Sequence, residues 1–119
     1  MLQSTRQFGE EKEQRACEYL IGHGLKLLVQ NYYCKFGEID LIMQDQETLV
    51  FVEVRYRKHN DYGGGLESIT HAKQRKIIRT AQHYLLKSKL QHCPCRFDVI
   101  AYTNDQKIDW IKDAFWVKY

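Results

Sequence analysis

The chain has 119 residues, of which 44% are apolar and 13% aromatic, and a formal charge of +3. That length implies one domain over 1–119 that buries roughly two-thirds of its unfolded surface, and the composition excludes a disordered chain. No apolar run reaches transmembrane length and no leader opens the sequence, so a cytoplasmic protein with no membrane partner is expected.

Taken in chain order, Ser4 or Thr5 caps a first helix that runs to about Ile21 and is ended by Gly22-His23-Gly24. Its apolar positions are Phe8, Ala16, Cys17, Leu20 and Ile21. Glu13 precedes Ala16 and Cys17 by three and four residues, which puts a carboxylate on the core stripe. Two readings follow: a glutamate at the end of the stripe that snorkels to water, or a site residue. Glu10, Glu11, Lys12 and Gln14 read as solvated helix surface.

Leu25 to Tyr33 is a strand candidate in which Leu25, Leu27 and Val29 alternate. Lys35-Phe36-Gly37 turns the chain into a second strand, Glu38 to Gln44, and Asp45-Gln46-Glu47-Thr48 connects it to a third, Leu49 to Tyr56 or Arg57. Short turns imply an antiparallel meander. Lys58 to Gly65, with three consecutive glycines, reads as a flap beside the site; it lacks the Lys-Ser/Thr of a phosphate-binding loop.

Ser68 or Thr70 starts a long helix to about Leu90, with Ile77, Ile78, Ala81, Tyr84 and Leu85 as its apolar stripe. Lys73, Arg75, Lys76, Arg79, Lys87 and Lys89 occupy its other surface, and no acid lies between Ser68 and Gln91. Solvated helix faces usually mix signs. This one does not, which favours a phosphate-facing surface with Lys73, Arg75, Lys76 and Arg79 as nucleic-acid-binding residues. A fourth strand, Arg96 to Tyr102, and a short last strand near Ile108 to Ile111 complete the chain, with Ala114 to Val117 packing at the end. The order α-β-β-β-α-β-β predicts an α/β protein, a mixed sheet flanked by helices. Cys17, Cys34, Cys93 and Cys95 do not have zinc-knuckle spacing, so reduced thiols buried as small hydrophobes are the expected reading.

Chemistry enters with Gly37-Glu38-Ile39-Asp40-Leu41-Ile42 and Val50-Phe51-Val52-Glu53-Val54-Arg55. Each apolar strand carries a carboxylate, and a buried carboxylate needs a partner, a proton or a metal. The strand period of two puts Phe51, Glu53 and Arg55 on one face and Val50, Val52 and Val54 on the other. A hairpin aiming Asp40, Glu53 and Arg55 at one spot suits metal-assisted phosphodiester chemistry, in which carboxylates hold Mg²⁺ or Mn²⁺ beside a cation. Glu38 shares a strand face with Asp40, as a further ligand or an ion-pair partner of Arg55 or Arg57.

These two segments, the Glu13…Tyr19-Leu20 helix and the Arg96-Phe97-Asp98-Val99 strand resemble the YraN-like family of small bacterial proteins, which are grouped with endonucleases. That family is similar to Holliday-junction resolvases and to the restriction-endonuclease-like fold, and the resemblance covers nearly the whole chain. It implies a metal-dependent endonuclease acting on structured or branched DNA, with Mg²⁺ or Mn²⁺ as cofactor and a homodimer as the working unit. It places Glu13, Asp40 and Glu53 as metal ligands and catalytic residues, Lys73 as the lysine opening the second long helix, and Tyr62-Gly63 as an aromatic-glycine pair before it. Arg55 stands where the family motif has lysine: it keeps its charge and clamps phosphate but is a poor proton shuttle. Arg55 acting electrostatically, Lys73 supplying the ammonium, and loss of catalysis are the three alternatives. The last would make the chain an inactive nuclease-fold module that binds DNA or a protein partner.

Overall fold

The computed structural model describes the backbone of residues 5–56, 69–102 and 107–117, and side chains from residue 9 onward within those segments. The elements run α1 (Thr5–Gly22), β1 (Lys26–Cys34), β2 (Gly37–Asp45), β3 (Thr48–Tyr56), α2 (His71–Lys87), β4 (Cys95–Tyr102) and β5 (Ile108–Phe115). This is the expected order α-β-β-β-α-β-β, and the strands form a mixed five-stranded sheet in the sequential order β1-β2-β3-β4-β5. β1, β2 and β3 pair antiparallel, β3 and β4 pair parallel across the connection that contains α2, and β5 returns antiparallel to β4. A parallel neighbour demands such a crossover, and the helix within it covers one face of the sheet.

Strand alternation divides the core between the two faces. Ile39, Ile42, Phe51, Phe97 and Val99 pack with Ile77, Ala81 and Tyr84 of α2. Leu41, Met43, Val50, Val52, Ile100 and Tyr102 pack with Ala16, Cys17 and Leu20 of α1. The division of β3 at Phe51 against Val50 and Val52 is the one its period of two predicts. Val52, at the centre of the sheet, pairs with Leu41 on one side and Asp98 on the other.

Five local readings change. Leu27 and Val29 do not share a face, because the β1–β2 register slips between them (Leu27↔Met43, then Val29↔Ile42), and Leu27 stays exposed. Ile21 is exposed rather than part of the α1 stripe, and on α2 the buried stripe includes Thr80, whose hydroxyl is satisfied by donating to the Lys76 carbonyl at 2.8 Å. α2 ends at Lys87 instead of about Leu90; Lys89 follows in the left-handed region at φ 58°. The last strand extends to Phe115, which is buried on Phe97 with ring centroids 5.0 Å apart, while Trp116 is exposed. The glycine-rich stretch, Tyr62-Gly63, Arg57 and Ser68, and the Phe8 side chain lie outside the described residues.

A polar network fixes the end of the sheet formed by Asp45, the start of β4 and the bulge in β5. The buried Asp98 carboxylate accepts Arg96 Nε at 3.1 and 3.2 Å, Trp110 Nε1 at 3.0 Å and the Asp113 N–H at 2.9 Å. Arg96 also reaches Asp45 at 3.0 Å. A carboxylate without water needs this full complement of donors, and the register shift between Phe97 and Val99 supplies the Asp113 N–H.

Candidate active site

At the opposite end of the same strands, β2 and β3 part. Their ladder runs from Asp45↔Thr48 to Leu41↔Val52 and stops there. One residue beyond the last pair on each strand come Asp40 and Glu53. The Val54 N–H, which a continued ladder would have given to a backbone carbonyl, donates instead to Asp40 Oδ2 at 2.8 Å. The Asp40 side chain thus stands in for backbone, which fixes its orientation and opens a gap between the strands. α1 closes that gap from the other side: Ala16, Cys17 and Leu20 anchor it to the sheet, and the same stripe one turn earlier presents Glu13.

The result is a cleft of about 260 Å³ lined by Gly9, Lys12, Glu13, Asp40, Glu53, Val54 and Tyr56. Three carboxylates from α1, β2 and β3 therefore meet in one place. Burial, then the neighbouring Glu53, push the Asp40 carboxyl up to about 8, with Glu13 adding to the effect. Burial also raises Glu13, against hydrogen bonds from Asp40 and from the Asn31 side chain that favour its charged form. Asp40 and Glu13 hydrogen-bond to one another, an arrangement that a proton shared between the two acids satisfies.

Cations border this cluster. Lys73 Nζ lies 2.8 Å from Glu53 Oε1, and Arg55 Nη1 lies 3.9 Å from the same oxygen. Lys73 is delivered by the start of α2, where Thr70 caps the helix by accepting the Lys73 backbone N–H at 3.1 Å. Lys12 lies over Tyr102 and Tyr56, its Nζ 4.7 and 5.2 Å from their ring centroids. Burial, then Arg15, lower its pKa. Tyr102 Oη donates to the Lys12 carbonyl at 2.9 Å, tying β4 to the turn of α1 that carries Glu13.

Of the residues expected at the site, the fold brings together Glu13, Asp40, Glu53, Arg55 and Lys73. It does not bring Arg75, Lys76 or Arg79 to the cleft; they lie exposed along the outer side of α2. Glu38 is exposed and acts on the cluster only as a nearby negative charge that raises Glu13. Two residues were missed. Lys12 is half-buried in the cleft wall rather than solvated surface, because two tyrosines distant in sequence converge on it. Asn31 holds Glu13 from β1, and its left-handed φ of 56°, in a strand of otherwise extended residues, matches the one legible signal: an asparagine, which tolerates that region, inside an apolar run.

The donor set is all oxygen, which suits hard divalent cations such as Mg²⁺ or Mn²⁺ rather than zinc. Among the described residues, no three His, Cys, Asp or Glu side chains are arranged as a ready-made metal cage. Glu53 is engaged by Lys73 instead, and Asp40 by its proton and Val54. The four cysteines are free and none lines the cleft; Cys17 of α1 is buried in the core as expected, but Cys34 and Cys93 are only half-buried and Cys95 is exposed.

Residues 12–102 match the model of uncharacterised protein family UPF0102, a span that begins at the cleft residue Lys12 and ends at Tyr102. The chain belongs to that family. A UPF0102 protein of Psychromonas ingrahamii is 54% identical over 117 residues, covering 97% of this chain and 94% of its own. One from Nitrosococcus oceani is 50% identical over 117 residues, covering 95% and 94%. One from Coxiella burnetii is 46% identical over 120 residues and covers both chains in full. The YraN-like motifs, Glu13, Asp40 and Glu53-Val54-Arg55 among them, thus all fall within the UPF0102 match. Among the described residues no helix is long and apolar enough to cross a membrane.

Proposed function

We propose that this UPF0102 protein is a divalent-cation-dependent endonuclease acting on structured or branched DNA. The observation that carries the reading is the convergence of Glu13, Asp40 and Glu53 on one cleft, where burial and the neighbouring acids push the Asp40 carboxyl up to about 8. Acids confined this way are relieved by a cation, and the charge that Asp40 resists in the free protein becomes favourable once positive charge sits among the three. Glu13, Asp40 and Glu53 would hold Mg²⁺ or Mn²⁺, which when bound supplies Lewis acidity to a water and to a phosphate oxygen.

The remaining work belongs to the chain. The Val54 N–H fixes Asp40, and Asn31 steadies Glu13, so the carboxylates are oriented before any ligand arrives. Lys73 and Arg55 present an ammonium and a guanidinium at the cleft edge. Arg55 would bind phosphate as a planar, bidentate cation, and Lys73 adds a mobile ammonium beside it. Displacing Lys73 from Glu53 frees it to face the scissile phosphate.

A second reading, a non-catalytic module that docks DNA or a protein partner, has its own support: the Lys73–Glu53 pair at 2.8 Å already neutralises an acid that a metal would need. Calorimetric titration with Mn²⁺ of wild type and Asp40→Asn, beside cleavage assays on single-stranded, duplex and four-way DNA, separates the two. Mn²⁺ binding that Asp40→Asn removes, with cutting that chelation abolishes, supports the nuclease. No measurable Mn²⁺ affinity and every substrate left intact would sink it.

A further inference from the structure

The β1–β2 hairpin ends in a two-residue turn, Lys35-Phe36, closed by the pair Cys34↔Gly37. Gly37 adopts φ 147°, a conformation side chains rarely take, and a Cβ there would meet Thr80 Oγ1 at 3.4 Å. The hairpin is therefore pressed against the middle of α2. Tyr32 Oη sits 2.6 Å from His83 Nδ1, and the Phe36 ring stands edge-on to His83 with centroids 6.3 Å apart. These contacts seat the base of the tip on α2.

One of the two turn residues is aromatic, where a turn is ordinarily polar. Phe36 is 37% exposed and Tyr33 77% exposed, with Lys35 Nζ 5.2 Å from the Phe36 ring centroid. Alternation along β1 places Tyr33 on the side of the hairpin away from Tyr32 and α2, so aromatic surface flanks the tip on both sides. The exposed side of α2 that runs past the hairpin carries Lys76, Arg79 and His83 at helical spacing. Helix α2 contains no acid, and Glu38, paired across from Tyr33, is the one carboxylate on the hairpin end itself. Cations that bind phosphate beside a flat aromatic tip suit a nucleic acid with an exposed base face; a continuous duplex offers the tip no such face.

We infer that this hairpin tip is a branch-recognition pin: Phe36, with Tyr33 behind it, stacks on the terminal base pair exposed where DNA strands diverge, while Lys76 and Arg79 hold the adjoining backbone. The inference rests on the DNA reading above for its substrate, and it adds a position. The pin residue Phe36 is four residues from Asp40, roughly 13 Å at about 3.3 Å per residue. At about 3.4 Å per nucleotide step, a pin on the branch point puts the cleft about four nucleotides from it.

The test is binding in EDTA, so that it does not depend on cutting. A four-way junction and a linear duplex of equal length, each with 2-aminopurine beside the branch or at the matching duplex position, are titrated with wild type, Phe36→Ala, Phe36→Trp and Lys76→Glu. Wild type should prefer the junction and change the fluorescence at the branch. Phe36→Ala should lower the junction-to-duplex preference roughly ten-fold, on the scale of one lost aromatic–base stack, and Phe36→Trp should restore it. Lys76→Glu should weaken both substrates together. Circular dichroism confirms that each variant is folded. Equal affinity of wild type for junction and duplex, no DNA binding, an unchanged preference in Phe36→Ala, or the same preference for a forked RNA would overturn the pin. A Phe36-dependent preference in a protein that never cuts with Mn²⁺ would leave the pin standing and remove the nuclease reading alone.

Discussion

Asp40 Oδ2 accepts the Val54 N–H at 2.8 Å where β2 and β3 cease to pair, so a side chain replaces a rung of the sheet at its centre. The bond fixes the Asp40 side chain in the gap, and burial beside Glu53 and Glu13 opposes the charge of the group so held.

A pH dependence of stability follows. The Asp40 carboxyl is raised from 3.8 to about 8 on folding. Between those values the folded protein binds a proton that the unfolded chain has released. This contribution to stability is therefore fully present below about pH 4 and is lost as pH rises through about 8. Asp40→Asn keeps an acceptor for Val54 and a donor for Glu13 without the charge. In EDTA at pH 8 it should be about 1–3 kcal/mol more stable than wild type, with the difference shrinking toward pH 4. Thermal melts across that range decide it; a less stable Asn variant at pH 8 would show that the cluster carries no such strain.

Much of this was legible in the sequence because period and chemistry agreed. The alternation in Val50 to Arg55 placed Glu53 opposite the valines, and the spacing from Glu13 to Ala16, Cys17 and Leu20 put an acid on the buried stripe. The site roles of Lys12 and Asn31 were not legible. The environment of Lys12 is made by Tyr56 and Tyr102, and that of Asn31 by a helix earlier in the chain, so neither is set by local pattern. The slip in β1 was hidden for a related reason: Leu27 fits alternation, but the pairing with β2 decides the register. Arg96 was read only as part of a strand, though its pairing with Asp98 and Asp45 ties β4 to the end of β2.

That network yields a stability prediction remote from the cleft. The Asp98 side chain is fully buried and accepts from Arg96, Trp110 and the Asp113 backbone. Asp98→Ala strands the Arg96 guanidinium and should cost about 3–5 kcal/mol, as breaking one side of a buried pair does. Asp45 is partly solvated, so Asp45→Ala should cost no more than about 1 kcal/mol. Urea denaturation measures both, and equal losses would contradict a network centred on Asp98.

The two cations on Glu53 should separate in kinetics. Under the nuclease reading Lys73, at 2.8 Å, supplies the ammonium that turns to the phosphate, and Arg55, at 3.9 Å, adds a second charge behind it. Lys73→Ala should then lower kcat by about 100-fold or more. Arg55→Lys retains a cation and should change kcat by less than about 10-fold. A large gain in Arg55→Lys would instead mark Arg55 as the reason for weak catalysis and assign Lys73 to holding Glu53.

Metal binding has to expel the proton that Asp40 holds in the free protein, because only the carboxylate is a ligand. Mn²⁺ affinity should therefore rise about ten-fold per pH unit between pH 6 and 8 and level off above, with close to one proton released per ion at pH 7. Calorimetry in buffers of different ionisation enthalpy counts that proton directly. Glu13→Gln removes one of the charges that raise Asp40, so it should lower the affinity and also shift the plateau to lower pH. A Mn²⁺ affinity that is flat from pH 6 to 8 would mean that the ion does not bind at Asp40, and the three carboxylates would then have to be read as a self-neutralised cluster closed by Lys73.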